Sequence, residues 1–251
     1  MDLARAIKKL FDEFRKKAQK KSINMNNINI DVIHPWKLTI AFDLGNRKQF
    51  IIRNILENDL KPLKEFKNQL SERSRDLFCP YPWNNEKKLE SALLQTIKNA
   101  RQKVDTSYII EQNGKPVGHF FLWKAGGNPH SQRHGVNIPE LGVAIADDLQ
   151  GMGLGSLCVE ILKAIAHQLN NDAVELTTAM SNDAGWYIYL KSNFQYTGNI
   201  KNPLEVDVTE ATRGKAKTKK YRTERQMVYM LNHQKTPDIL NYLALKRKKI
   251  Q

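Results

Sequence analysis

The chain has 251 residues, 41% of them hydrophobic, and a formal net charge of +14. Its length suits one large domain, or one domain with an extension, and its apolar content is enough for a core. It has no run of about 18 apolar residues, so no transmembrane helix is expected, and the start Met-Asp-Leu-Ala-Arg-Ala-Ile-Lys-Lys-Leu lacks the apolar stretch of a secretory signal.

Residues Leu3 to Ala18 predict an amphipathic helix, with Leu3, Ile7, Leu10, Phe11 and Phe14 on one face and lysines and arginines on the other. Docking onto its own domain is the preferred use; a membrane surface or RNA is the alternative. Ser22 to Asn29 is asparagine-rich and reads as a loop. Strands are predicted over Ile28–Ile33, Leu38–Phe42 and Gln49–Ile55, with a turn at Asp43-Leu-Gly-Asn46. Helical spacing returns over Asp59–Leu70 and Glu86–Val104. Between them, Phe78-Cys-Pro-Tyr-Pro-Trp83 is a rigid aromatic loop, either core packing or a wall of a substrate pocket. Asn113-Gly114 predicts the turn of a hairpin joining Tyr108–Glu111 to Pro116–Trp123. Ala125–Pro139 reads as a loop. Its His130 and His134 are not held on one helical face and have no cysteine nearby, so no metal is expected.

The most informative stretch is Glu140 to Ser156. Leu141–Ala146 is a short apolar run, read as a buried strand. Asp147 and Asp148 end it, and Gly151, Gly153 and Gly155 follow in alternation. Leu157, Ile161, Leu162, Ile165 and Leu169 then recur at helical spacing. Strand, glycine turn and helix together form a unit that presents free backbone N–H groups, and the positive end of a helix dipole, to an anion. A pyrophosphate cradle is the expectation. A P-loop would need Gly-Lys-Ser/Thr, and no lysine stands there. A Rossmann fingerprint would need Gly-x-Gly-x-x-Gly, but Ser156 takes the last place.

A third pattern, Gln/Arg-x-x-Gly-x-Gly/Ala, is matched in full by Gln150-Gly151-Met152-Gly153-Leu154-Gly155. Here the chain resembles the coenzyme A pyrophosphate loop of the GNAT acyltransferase superfamily. A second resemblance lies at Asn182–Phe194. The family often shows Asn-x-x-Ala-x-x-Leu-Tyr-x-Lys-x-Gly-Phe, and this chain places Asn182, Gly185, Ile188, Tyr189, Lys191 and Phe194 correspondingly. It departs at Asn193, where glycine is usual; asparagine also tolerates the left-handed conformation.

After this segment, Thr212–Arg225 carries seven basic residues against Glu224 and reads as a mobile loop. Gln226–Leu231 reads as a closing strand, and Pro237–Lys249 as a terminal helix ending in Lys246-Arg-Lys-Lys. The two cysteines, Cys79 and Cys158, make no disulfide framework, which predicts a reducing, cytoplasmic setting with Cys158 a buried thiol.

The resemblance implies an α/β (α+β) fold of GNAT type: a mixed, mostly antiparallel sheet with splayed central strands, flanked by helices, plus an N-terminal extension. The expected division is 1–47 for the extension, 48–235 for the acetyltransferase domain and 236–251 for a basic C-terminal helix. The implied activity is transfer of an acetyl group from acetyl-CoA to a primary amine by direct attack on the thioester. The amine would be a protein N-terminus or lysine, or a small molecule. In the roles it implies, backbone groups of Val143, Ala144 and Ile145 hold the pantetheine and polarise the thioester. Those of Gln150, Gly151, Met152, Gly153, Leu154, Gly155 and Ser156 hold the pyrophosphate, and the Asn182 side chain contacts the cofactor. Tyr189 is the general acid, with Tyr187 as rival, and Glu140 the general base, directly or through water. No metal is implied. A polyamine acceptor is less natural for so basic a chain. The alternative is a nucleic-acid- or ribosome-associated protein that binds through residues 213–225 and the C-terminal tail. An acidic protein surface could be met by the same residues, and a homodimer is possible.

Overall fold

The computed structural model describes residues 2–78, 80–204 and 220–248. Helix α1 (Leu3–Gln19) precedes three strands, β1 (Met25–His34), β2 (Lys37–Leu44) and β3 (Arg47–Asn54). Helices α2 (Leu60–Phe66), α3 (Glu72–Leu77) and α4 (Glu86–Arg101) follow, then the hairpin β4 (Thr106–Gln112) and β5 (Lys115–Trp123). The short α5 (Pro129–Gln132) leads to β6 (Glu140–Ile145), α6 (Leu154–Gln168), β7 (Ala173–Ala179) and α7 (Asp183–Lys191). Strands β8 (Gln195–Leu204) and β9 (Lys220–Met230) and helix α8 (Thr236–Lys248) complete the order. All nine strands form one sheet, β1-β2-β3-β4-β5-β6-β7-β9-β8. Every neighbouring pair is antiparallel except β6 with β7. This is the mixed, mostly antiparallel architecture expected, and the strands ahead of β3 extend the same sheet.

The predicted hairpin turn is present: Asn113 and Gly114 both have positive φ (50° and 74°), and Gln112 faces Lys115. Two consecutive left-handed residues match the twist of the flanking strands. Helix α1 docks on its own chain, against α6 and β1. Leu3, Ile7 and Phe11 are buried, and the Phe11 ring meets Phe42 edge-on at 5.5 Å. Each such side chain contributes about 1.5–3 kcal/mol by leaving water.

Two local expectations are corrected. The asparagine-rich stretch is not a loop throughout, because β1 starts at Met25, fully buried and paired with Leu44. The strand absorbs Asn27, at φ 52°, through a shift in register between Asn26 and Asn29, which is how a bulge accommodates an extra residue. At the other end, β9 starts at Lys220, six residues before the expected strand. Pairing on both sides, with β7 and with β8, outweighs the charge of that segment. Arg222 forms ion pairs with Asp76 and Glu224, and Arg225 lies 4.7 Å from the Trp186 ring centre. The rest of the basic loop, residues 213–219, and Cys79 lie outside the described residues.

Candidate active site

Strands β6 and β7 are parallel neighbours that pair at one position, Glu140 with Glu175. Beyond it they part. Strand β6 stays in register with β5 from Glu140 to Ile145, and β7 stays in register with β9 from Ala173 to Ala179. The opening therefore lies between Val143, Ala144 and Ile145 on one side and β7 on the other. Gly142 faces Phe121 across the β5–β6 pair, and a Cβ there would stand 2.3 Å from the ring. That ring is stacked on Trp123 at 4.5 Å. The glycine thus lets β6 lie flat against an aromatic column and fixes its course toward the opening.

The glycine turn follows directly. Asp147–Leu149 forms a 3-10 turn and Gln150 leaves it in extended conformation. Gly151 and Gly153 take φ of 80° and 91°, which L side chains rarely adopt, and Gly153 is the residue before the first turn of α6. The first intrahelical bond runs from the Leu157 N–H to the Gly153 carbonyl. Upstream of it, the amides of Gly151, Met152, Gly153, Leu154, Gly155 and Ser156 find no acceptor among the described residues. Six unsatisfied donors at the start of a 15-residue helix form an anion cradle. The acids beside it are engaged elsewhere. Asp148 is bound by Arg47 at 2.7 Å. Asp147 accepts from the Ser71 amide; burial alone would raise its carboxyl, but hydrogen bonds from Ser71 and Ser74 outweigh that and hold it below the usual carboxylate range.

Other predicted residues stand in supporting positions. The Gln150 side chain turns back to donate to the Ile145 carbonyl and to Asp147, which braces the turn. The Asn182 side chain caps α7: its Oδ1 accepts from the Gly185 amide and its Nδ2 donates to Thr178 Oγ1. Met152 lies 3.7 Å from the Cβ position of Gly45, and Phe14 of α1 stands 2.9 Å from that of Gly153. The N-terminal segment thus packs directly on the cradle. Helix α7 runs alongside, with Ile188 3.5 Å from the Cβ position of Gly155. The two candidate tyrosines differ. Tyr187 is 59% exposed and lies under the Lys191 ammonium. Tyr189 packs on Phe194, its hydroxyl has no partner among the described residues, and burial pushes its phenol up to about 12. It is therefore protonated at neutral pH.

At the closed end of the opening the two glutamates meet a cation absent from the sequence reading. Lys246 Nζ of α8 stands 3.0 Å from Glu175 and 3.5 Å from Glu140. Glu175 is 1% exposed, and burial raises its carboxyl even against the attraction of Lys246. The lysine, despite burial, is held above its ordinary range by Glu140 and Glu175. A cavity of about 290 Å³ opens over this group, with Trp123 and Tyr242 among its walls. A glutamate inside the apolar run Ala173–Ala179 was the available signal for Glu175. Lys246 carried none, since it read as part of a basic tail. The aromatic loop, by contrast, is packing: Phe78, Tyr81 and Trp83 are buried around His119 and Phe121.

The family described as acetyltransferase (GNAT) matches residues 70–194, about half of the chain. No curated protein matches the chain by sequence. Solved structures are similar in fold. An acetyltransferase of the GNAT family from Streptococcus pneumoniae superposes with a TM-score of 0.52 at 21% identity, covering 72% of this chain and 99% of that one. A ribosomal L7/L12 alpha-N-protein acetyltransferase in complex with coenzyme A gives 0.54 at 14% identity, covering 73% and 94%. A spermidine N-acetyltransferase from Vibrio cholerae, in complex with CoA and spermine, gives 0.53 at 16%, covering 72% and 95%. No helix among the described residues is long and apolar enough to cross a membrane. The family match shows that this chain belongs to the GNAT acetyltransferase family and is an acyltransferase that uses acetyl-CoA as co-substrate.

Proposed function

We propose that the protein moves an acetyl group from acetyl-CoA onto a primary amine by direct attack of the amine on the thioester. The observation that carries this reading is the geometry of β6 and β7, joined at Glu140–Glu175 and open beyond, with the cradle of Gly151–Ser156 at the far end. In this reading residues 48–235 do the chemistry. The cradle amides hold the pyrophosphate. Backbone groups of Val143, Ala144 and Ile145 hold the pantetheine arm and polarise the thioester carbonyl. Asn182 shapes the adjoining wall by capping α7, and Tyr189 protonates the departing thiolate.

Glu140 precedes Val143 by three residues, about 10 Å at about 3.4 Å per residue. A carboxylate at that distance takes the proton of the incoming ammonium at the pocket end or through water, not across the thioester itself. The amine nitrogen then bonds to the acetyl carbon, the carbon–sulfur bond breaks, the sulfur takes a proton from Tyr189, and the new amide nitrogen sheds its extra proton through water to restore the phenol. Direct transfer needs no acyl-enzyme, and the chain's described cysteine supports that. Cys158 is fully buried in α6, and burial pushes its thiol far above the ordinary range, so it offers no nucleophile. The structures of similar fold include enzymes named for a protein N-terminus and for spermidine, both amines.

The test is a panel of primary amines assayed by thiol release, with acetyl-CoA hydrolysis as background. Acetylation of at least one amine without a burst of acyl-enzyme is expected. Tight coenzyme A binding with no amine-dependent thiol release would overturn the reading.

A further inference from the structure

The cavity over Glu140 and Glu175 carries more information than the general reaction does. Its floor is a carboxylate pair, one member 1% exposed, with an ammonium already seated on it from the chain's own α8. Trp123 and Tyr242 supply flat walls. Its rim is basic: Lys124 and Arg133 are both exposed and neither forms a salt bridge among the described residues, though Asp105 accepts from the Lys124 amide and feels its charge. Floor and rim thus prefer opposite charges.

We propose that this cavity is the acceptor pocket, built for a single primary ammonium on an anionic arm, and that Lys246 is its built-in competitor. The inference rests on the amine-acetylation reading above and names its substrate class. Lys246 Nζ marks where the acceptor ammonium docks and gives up its proton, at the head of the parted strands, before the neutral amine advances along β6 to the thioester. An acceptor enters by displacing the last turns of α8, which hold on the floor side through Lys246 and through Arg247, whose Nη1 donates to Gln226 at 2.7 Å. Gln226 in turn faces Glu175 at 3.5 Å. The anionic arm then lies against Lys124 and Arg133. A polyamine would set its second and third ammonium groups against that same rim. Like charges 4 Å apart in water cost about 1 kcal/mol, about fivefold in affinity for each pair.

Two measurements test this on the full chain. The first is thermal melting of Lys246→Met, with ethylammonium chloride or tetramethylammonium chloride added at equal ionic strength. Removing the lysine leaves two carboxylates without their cation, so the variant is expected to melt lower than wild type. Ethylammonium should raise its melting temperature and tetramethylammonium, which cannot donate, should not. Wild type should not distinguish them. The double variant Glu175→Gln/Lys246→Met carries one carboxylate fewer; it keeps the test available if the single variant does not fold, and it should lose most of the ethylammonium effect. An equal response of Lys246→Met to both ions, or an undiminished ethylammonium effect in the double variant, overturns the ammonium site.

The second measurement is thiol release from an alanine-initiated acidic tetrapeptide amide and from spermidine. The acidic peptide should show a KM about 25-fold below that of spermidine, from two rim charges at about fivefold each. Lys124→Glu/Arg133→Glu should reverse the order. Preference for spermidine in wild type overturns the anionic-arm assignment. The arms separate the two failures. Ethylammonium rescue without acetylation of any amine removes the enzyme reading and leaves the cation site. Acetylation without selective rescue does the opposite.

Discussion

Gly155→Glu isolates the cradle from the stability of the fold. Gly155 lies inside the first turn of α6, has no left-handed φ, and its Cβ position meets only Ile188 at 3.5 Å, ordinary contact distance. Replacing a helical glycine recovers about 0.5–1 kcal/mol of backbone entropy, so the folded state is not expected to suffer. Gly153 is a poor choice for the same test. It needs φ 91°, and its Cβ would stand 2.9 Å from Phe14, so any substitution there also strains α1. The carboxylate at 155 opposes the pyrophosphate. Each pair of like charges 4 Å apart costs about 1 kcal/mol at the dielectric of water and about 4 kcal/mol at an effective value of 20. That range corresponds to a loss of about fivefold to about a thousandfold per phosphate charge. Calorimetric titration with coenzyme A at two salt concentrations measures it, with Gly155→Gln as the neutral control of equal size. The expected order of affinity is wild type, then Gln, then Glu, the last recovering partly at high salt. Equal affinity for wild type and Glu, with melting temperatures unchanged, would refute the assignment of these amides to the diphosphate.

Tyr189→Phe should lower kcat by about a hundredfold, within the usual range for a lost general acid, and leave coenzyme A affinity unchanged; Tyr187→Phe should do neither. Arg53→Met should cost about 3–5 kcal/mol, because it strands Asp59, 2% exposed, and Glu111, which the guanidinium holds at 2.6 Å and 2.5 Å; urea titration reads the loss. His119 makes stability depend on pH. Its Nδ1 donates to the Tyr108 carbonyl and its Nε2 accepts from the Tyr81 hydroxyl, which is the neutral ring, and burial lowers its pKa to about 4. Above the unfolded value of about 6.5 neither state takes up a proton there. As pH falls toward 4 the unfolded chain gains one first, so stability drops by up to about 1.4 kcal/mol per unit and about 3 kcal/mol in all. Urea titrations of wild type and His119→Asn between pH 7 and 4 should show a shallower slope for the variant; identical slopes would remove His119 as the cause.

The strand–glycine–helix unit was legible because each of its signals is local. Alternation, glycine spacing and helical periodicity all act within about 20 residues, and backbone conformation answers to them directly. The same holds for the Asn113-Gly114 turn and the buried face of α1. What the sequence concealed is what depends on partners far along the chain. Lys246 reads as one lysine in a basic tail until α8 sets it beside Glu140 and Glu175, 106 and 71 positions upstream. Arg222 and Arg225 read as loop charge until β9 pairs on both edges, placing Arg222 beside Glu224 and Arg225 against Trp186 of α7. Charge runs are ambiguous for this reason: composition counts a cation the same whether solvent or a carboxylate faces it.

That ambiguity also bears on the net charge of +14. The total is unchanged by pairing, but Arg222 and Lys246 face Asp76, Glu224, Glu140 and Glu175 rather than solvent. Those two cations therefore give less reason to expect a nucleic-acid partner than the composition of their segments suggested. The N-terminal segment supports a similar conclusion. Phe14 lies against Gly153, Met152 packs near Gly45, and Arg47 binds Asp148 beside the glycine loop. An amphipathic helix whose apolar face is already covered, and whose edge packs on the glycine loop, is already engaged by its own chain. Freeing it for a membrane or RNA would expose Leu3, Ile7 and Phe11 to water, at about 1.5–3 kcal/mol each. Release of α1 would also loosen the glycine loop, so under the proposed assignment of that loop to the diphosphate the extension and cofactor binding stand or fall together.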